Sequence, residues 1–243
     1  ELHLSVLIES MRREGFELAV SRPEVIFHED DGIRLEPWEQ LTVDFEEAYQ
    51  GAVMTRLASR KGELLEMLPD GKGRVRLDYR IPTRGLIGFR TEYLTATSGT
   101  GLIYHVFDKY DRHVPEALGQ RNNGVHVSMV AGKALAYALY NLQDRGRLLI
   151  GHGQPVYEGM ITGINSRQSD MVVNPTKAKQ LTNIRAAGSD ENIVLTPPVR
   201  LSLEQAIEFI DDDELLEVTP QHLRLRKKLL TEAERRRDAR LRA

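Results

Sequence analysis

The strongest constraint on this chain is an alternation of short elements packed into about 75 residues. Leu41-Thr42-Val43-Asp44-Phe45 alternates at period two, the pattern of a half-buried strand. Tyr49, Val53, Met54, Leu57 and Ala58 fall on one helical stripe that ends at Arg60-Lys61-Gly62. Glu63 to Met67 reads as a second strand, stopped by Pro69-Asp70-Gly71. Val75, Leu77, Tyr79 and Ile81 alternate as a third strand, closed by Pro82. Gly85 to Thr97 reads as a helix and Leu102 to Phe107 as a fourth strand.

Strand-helix-strand-strand-helix-strand is the order of the split βαβ sandwich, so residues 35–114 are expected to form a ferredoxin-like α+β domain. Two helices then cover one face of four antiparallel strands, and the other face is left to meet a partner. The chain has 243 residues, enough for one large domain or two modest ones, so the flanks need their own reading. Leu4, Leu7, Ile8 and Met11 recur at helical spacing, with Arg12-Arg13-Glu14-Gly15 as the stop. Phe16 to Val20 and Val25 to Phe27 read as extended, and His28 to Glu36 as a polar connector. One helix and an edge strand cannot bury a core alone. Residues 1–34 are therefore expected to be the remnant of a second ferredoxin-like domain.

Residues 115–243 read as a β-rich domain. Gly124 to Met129, Ala134 to Leu139, Leu148 to Ile150 and Val156 to Ile164 are its expected strands. The stretch Asn174 to Asn192 has no periodicity, and a loop of that length is usually functional. Ser202 with Gln205, and Thr231 with Glu234, are spaced as capping boxes that open two helices. Leu215 to Val218 and Leu223 to Leu225 form an expected hairpin between them.

Several chemistries are excluded. With no cysteine there is no disulfide, thiolate metal site or cysteine nucleophile. No apolar run approaches the roughly 18 residues of a membrane helix. A nucleotide-hydrolysing P-loop needs GxxxxGK followed by Ser or Thr, and Gly132-Lys133-Ala134 fails that test. The histidines show no metal-ligand spacing, and His105 and His126 alternate with apolar strand neighbours. No nucleophile, base and orienting group are spaced as a catalytic set, so no catalytic residue is expected.

Charge is more informative. The net value of −3 hides six acidic residues between Glu208 and Glu217 and nine basic against three acidic residues from His222 to Ala243. These are two solvated faces that neutralise each other, a phosphate-binding arm, or an acidic surface for a protein partner. Lys72, Arg74 and Arg76 open a strand and share one face of it, while Arg84 precedes a glycine-bearing turn. Lys177, Lys179 and Arg185 lie in the long loop among small neighbours, a setting suited to phosphate contact more than to base stacking.

Several blocks also carry a specific resemblance. Glu1-Leu2-His3-Leu4 before an amphipathic helix resembles the signature that closes the third domain of elongation-factor-G-like translational GTPases. Residues 35–110, with EEAYQGAVMTRLASRKGEL at 46–64, look like the fifth domain of that superfamily. PDGKGRVRLDYRIPTRGLIGFRTEYLTATSGTGL at 69–102 resembles its BipA/TypA branch. GQRNNG (119–124), LQDRGRLLIGHG (142–153), VYEGMI (156–161) and FIDDDELLEVTP (209–220) resemble the C-terminal domain peculiar to that branch.

The resemblance implies a cytoplasmic, ribosome-binding protein involved in ribosome assembly, stress response and virulence regulation. GTP and magnesium would be held by a domain upstream, and the residues here would carry neither cofactor nor catalysis. The implied partners are large-subunit rRNA, the acceptor end of an A-site tRNA, and ribosomal proteins, with no membrane. Lys72, Arg74, Arg84, Lys177, Lys179 and Arg185 are then the candidate RNA-contacting residues. The other class of reading is a module that binds ribosomal proteins or regulators without touching RNA.

Overall fold

A computed structural model describes residues 2–116, 118–119, 121, 123–179 and 193–242. The chain forms two units, one of residues 23–120 and one joining residues 1–22 to residues 121–243. That division departs from the expected boundaries after residues 34 and 114, and it couples the first segment to the last. The N-terminal segment supplies helix α1 (Leu2–Arg13) and strand β1 (Leu18–Val20). Gly15 follows the helix at φ +93°, a left-handed position that ends it at little steric cost.

In the unit of residues 23–120, β2 (His28–Asp30) and β3 (Ile33–Glu46) form a hairpin across Asp31-Gly32. Both turn residues have positive φ, 48° and 73°, which matches the twist of the flanking strands. The expected connector is thus a tight turn, and β3 begins eight residues before its alternating core. Helix α2 (Gln50–Ser59), strands β4 (Glu63–Pro69) and β5 (Arg74–Pro82), helices α3 (Thr83–Leu86) and α4 (Phe89–Ala96), and strand β6 (Leu102–Arg112) follow. The helix expected over 85–97 is broken because Ile87 is extended and Gly88 is left-handed at φ +71°. Antiparallel pairing gives the order β6-β3-β5-β4.

Alternation then decides what is buried. Leu41, Val43 and Phe45 of β3 and Val75, Leu77, Tyr79 and Ile81 of β5 face Val53 and Leu57 of α2 and Phe89 and Tyr93 of α4. Each large apolar side chain buried this way contributes about 1.5–3 kcal/mol. The Tyr93 hydroxyl reaches the carbonyls of Asp44 at 3.0 Å and Leu102 at 2.9 Å, so this polar tip in the core is satisfied.

The other unit continues with β7 (Val125–Ser128), β8 (Gly132–Lys133), α5 (Ala136–Gln143), β9 (Gly146–Leu148), β10 (Pro155–Val156), β11 (Ile161–Asn165) and β12 (Met171–Val173). Helix α6 (Leu203–Phe209), strands β13 (Glu214–Val218) and β14 (Leu223–Lys227) and helix α7 (Glu232–Arg242) complete it. One sheet has the order β12-β7-β11-β9, another β1-β13-β14, and β8 pairs with β10. The strand expected at 134–139 is instead the start of α5. Ala138 and Leu139 are buried and Leu142 packs behind them, a spacing of three to four that only a helix satisfies. Both capping boxes form, and the Ser202 one opens α6 with its N–H and side-chain bonds reciprocated by Gln205.

The N-terminal segment belongs here because of pairing that runs nearly the length of the chain. Leu18 lies opposite Val218, Val20 opposite Leu216, and Ile8 is buried with Val125, Ile207 and Leu225. Arg22 caps the arrangement by donating to Asp211 at 3.0 Å.

Candidate nucleic-acid interface

Residues 70–73 form the turn between β4 and β5. The Asp70 carboxylate accepts the N–H groups of Lys72 at 2.7 Å and Arg74 at 2.9 Å, bonds that hold it below the usual carboxylate range. The turn projects the exposed Lys72 side chain, which makes no ion pair among the described residues. Arg74 and Arg76 share the open sheet face, as their spacing requires, but each meets a carboxylate there. Arg74 holds Asp44 through Nε at 2.8 Å and Nη2 at 2.5 Å, and Arg76 reaches Asp78 at 3.3 Å. Further along β5, Arg80 pairs with Asp111, lies 3.4 Å from Asp108 and stacks over Trp38. The Arg80 and Arg112 donors draw the Asp111 carboxyl down to about 2. Along β5 the open face is therefore a ladder of matched charges.

Arg84 is placed differently again. It forks onto Glu36 at 2.5 and 3.1 Å and donates to the carbonyl of Val114 at 2.6 Å and of Glu116 at 3.3 Å. The Glu36 side chain is fully buried and also accepts the Val114 N–H at 2.7 Å. Burial works to raise the Glu36 carboxyl, but Arg84 and Val114 outweigh it and keep the group below its ordinary value. Such a guanidinium positions the β3–β6 edge of its own unit and has few donors left for a phosphate.

In the other unit, β12 runs out into Asn174-Pro175-Thr176-Lys177. The Asn174 side chain accepts the N–H of Thr176 at 3.0 Å and its hydroxyl at 2.8 Å, an Asx turn that fixes the exit. The Pro175 carbonyl accepts the N–H of Leu135 at 2.9 Å, and a side chain on Gly132 would touch the Thr176 methyl. These contacts bring the Lys133 backbone close to the turn that leads into Lys177, with Lys179 two residues further on, and all three lysines are exposed. Arg185 lies outside the described residues. Lys133 escaped the sequence reading because it shows only as part of a failed P-loop. Its neighbourhood depends on a backbone bond between residues 40 positions apart, which leaves no local signal.

The acidic and basic blocks turn inward. Glu214 is fully buried between the Arg121 fork, at 2.8 and 2.9 Å, and the Lys227 ammonium at 3.0 Å. Lys227, with 3% of its side chain exposed, also binds Asp170 at 2.6 Å and Asp213 at 2.9 Å. Arg226 pairs with Glu217 at 2.7 Å. Burial pushes the Glu214 carboxyl up, yet Arg121 and Lys227 hold it below the ordinary value. Within the 208–217 block Glu214 and Glu217 are thus tied into ion pairs, while Asp212 and Asp213 stay exposed. On α7, Arg236, Arg237 and Arg240 are exposed, although Arg236 is drawn to Glu232.

Among the described residues no group of three or more His, Asp or Glu side chains could hold a metal ion, and no helix is long and apolar enough to cross a membrane. The sequence holds no P-loop of the GxxxxGK[ST] kind.

Comparison with known proteins completes the picture. A family model described as the elongation factor G C-terminus matches residues 33–121, and one described as the TypA/BipA C-terminal domain matches residues 123–232. The large ribosomal subunit assembly factor BipA of Escherichia coli strain K12 is 64% identical over 237 residues, covering 98% of this chain and 39% of that protein. Proteins of the same name from Salmonella typhimurium and Haemophilus influenzae are 63% and 62% identical over 98% of this chain, which covers 39% and 38% of them. The chain spans about two fifths of the length of these relatives. Two adjoining domain matches, with high identity running through both, make this chain a member of the TypA/BipA family that corresponds to its C-terminal region.

Proposed function

We propose that this region binds the ribosome by gripping the RNA backbone of the large subunit and performs no catalysis itself. The observation that carries this reading is the lysine apron of residues 133, 177 and 179, exposed on a turn that its own side chains pre-order. Lysine ammonium groups on a fixed backbone contact phosphates without reading sequence. Lys72, lifted on its own Asp70-bound turn, is a second contact of the same kind in the other unit. Arg74 beside it, and Arg84 beyond the other end of β5, act as positioning residues within their own unit.

The finer reading follows the family. The unit of residues 23–120 is a ferredoxin-like sandwich, since β6-β3-β5-β4 with helices on one face is the split βαβ order. It docks on factor-binding rRNA, and the other unit meets the acceptor end of a tRNA in the A site. GTP binding and hydrolysis belong to residues outside this stretch, and the whole protein works in the cytoplasm during large-subunit assembly and under stress.

The test is co-sedimentation of the chain with large subunits across a salt series. Counterion release makes the logarithm of affinity fall with the logarithm of salt by about 0.7 for each single-stranded phosphate contact. Replacing Lys133, Lys177 and Lys179 together by Ala is expected to flatten that slope by about two. An unchanged slope would remove the apron from the reading.

A second reading rests on a different surface. Leu102, Tyr104 and Val106 alternate on the open face of edge strand β6 and are 51%, 65% and 63% exposed. An apolar row on an unpaired edge suits a ribosomal protein better than RNA. Binding that survives ribonuclease digestion of the particles and is lost in Tyr104→Asp would favour it.

A further inference from the structure

The unit that carries the apron also holds a groove of about 720 Å³ that no part of the reading above uses. Its floor is apolar, built from Ile150, Met160 and Leu225, all nearly or fully buried. Its charged and titratable lining is of one kind: Arg200, Arg224, His152 and His222, with no carboxylate. Neither arginine makes an ion pair among the described residues. Glu217, which faces Arg224 across the β13–β14 ladder, is already held by Arg226 at 2.7 Å and by the Tyr157 hydroxyl at 2.6 Å. A lining that holds two guanidinium groups without an ion pair among the described residues, together with an apolar floor, favours a ligand that is both anionic and flat. Imidazole and guanidinium planes are also the surfaces on which an unstacked base settles.

The position of the groove narrows the ligand further. Gly153 and Gln154 on its rim bond the backbone of Ala134 at 2.8 and 2.9 Å, and the next residue, Leu135, bonds Pro175 at 2.9 Å. Groove rim, residues 133–135 and the Lys177 turn are therefore three neighbouring backbone tracks. Two strand spacings, roughly 10 Å, separate the outer ones. A strand held by its phosphates on the lysines passes within one or two nucleotides of the groove.

We propose that this groove binds a single nucleotide, its base on the Ile150–Met160–Leu225 floor and its phosphate against Arg200 and Arg224. The nucleotide is one splayed out of the RNA strand lying on the apron or a free nucleoside phosphate. In the first form the inference rests on the RNA-contacting reading; in the second it stands alone.

Gly151 supplies the test. Its backbone is outside the left-handed region, and a Cβ added there has only the Pro198 ring within 4 Å, at 3.9 Å. Gly151→Leu should fold, which a thermal melt checks, and should fill the groove. Arg200→Ala with Arg224→Ala is the second variant, removing charge without filling space. The probes are a single-stranded ribo-oligonucleotide carrying 2-aminopurine and the 2-aminopurine riboside monophosphate, with fluorescence and total oligonucleotide affinity both recorded. The expected result is a saturable fluorescence change with the oligonucleotide that both variants abolish, together with roughly tenfold weaker binding. A response confined to the monophosphate, and lost in both variants, supports the groove with a free nucleotide as its ligand. An oligonucleotide that binds while neither probe gives a variant-sensitive signal overturns the groove and leaves the apron standing. No oligonucleotide binding at all sinks the apron, and the monophosphate arm then decides the groove by itself.

Discussion

Arg84 and Lys177 enter the sequence in the same way, each as a cation directly after Pro-Thr. In one region the cation turns inward and forks onto a buried carboxylate 48 positions upstream. In the other, Asn174 takes up the threonine, the turn is fixed without help from the lysine, and the ammonium stays at the surface. The difference teaches that a basic residue is assigned by the carboxylates the fold brings to it, more than by its own neighbours in the chain. Where a matched carboxylate is buried nearby, the cation holds the protein together. Where none is, it remains available to a phosphate.

The sharpest way to break this contrast is Arg84→Ala. It strands the Glu36 carboxylate in a fully buried site with only the Val114 N–H and His113 near it. Removing one partner of such a pair costs about 3–5 kcal/mol. Urea unfolding of the unit of residues 23–120 should show a loss of that size, and Arg84→Lys should recover only part because one ammonium cannot replace the fork. A shift no larger than a surface substitution gives would mean that Arg84 is not the clasp described. Next comes Lys227→Met in the other unit. Glu214 keeps Arg121, so the loss should be smaller, about 2 kcal/mol, as for a charged hydrogen bond. The unfolding midpoint of that unit is the readout.

What could be read from the sequence was what is local. Period-two strands at 41–45 and 75–81, the α2 stripe and both capping boxes depend on residues within a few positions of one another, and they stand in the structure as read. What escaped depends on distance or on ambiguity. The run Ala134 to Leu139 is apolar enough for either element, and the buried Ala138–Leu139–Leu142 spacing settled it as a helix. The pairing of β1 with β13 joins Leu18 to Val218, so this contact could not be read from the first segment's own residues. The acidic and basic blocks could be seen but not matched. Of the candidate contacts, Lys72, Lys177 and Lys179 are exposed, Arg74 and Arg84 are engaged internally, and Lys133 joined them only through the fold.

A buried histidine extends the comparison to pH. His126 on β7 is fully buried, and burial moves its imidazole below the ordinary 6.5, so it folds neutral at pH 7. The unfolded chain takes a proton near 6.5 that the folded one refuses. Its contribution is present in full above that pH and is lost as pH falls towards the lowered folded value. Glu214 titrates only further down, since its carboxyl is held below the ordinary range. The unit of residues 1–22 and 121–243 should therefore unfold at lower urea at pH 5.5 than at pH 7.5. His126→Leu should flatten that difference, and an unaltered pH dependence would show that another group is responsible.

The smallest effect on stability is expected where the effect on binding is largest. Lys133, Lys177 and Lys179 are exposed, and the turn beneath them is held by Asn174, Pro175 and Leu135 through bonds that no lysine makes. Their joint replacement by Ala should leave the urea midpoint unmoved, because surface changes that break no cap, core or ion network rarely register. The same triple variant should flatten the salt slope of ribosome binding by about two, as described above. Arg84→Lys gives the mirror image: reduced stability, with the salt slope kept in the fraction that remains folded. If instead the lysine variant unfolds easily, or if Arg84→Lys alters the slope while folded, then buried and exposed cations do not divide the labour of this region in the way their partners indicate.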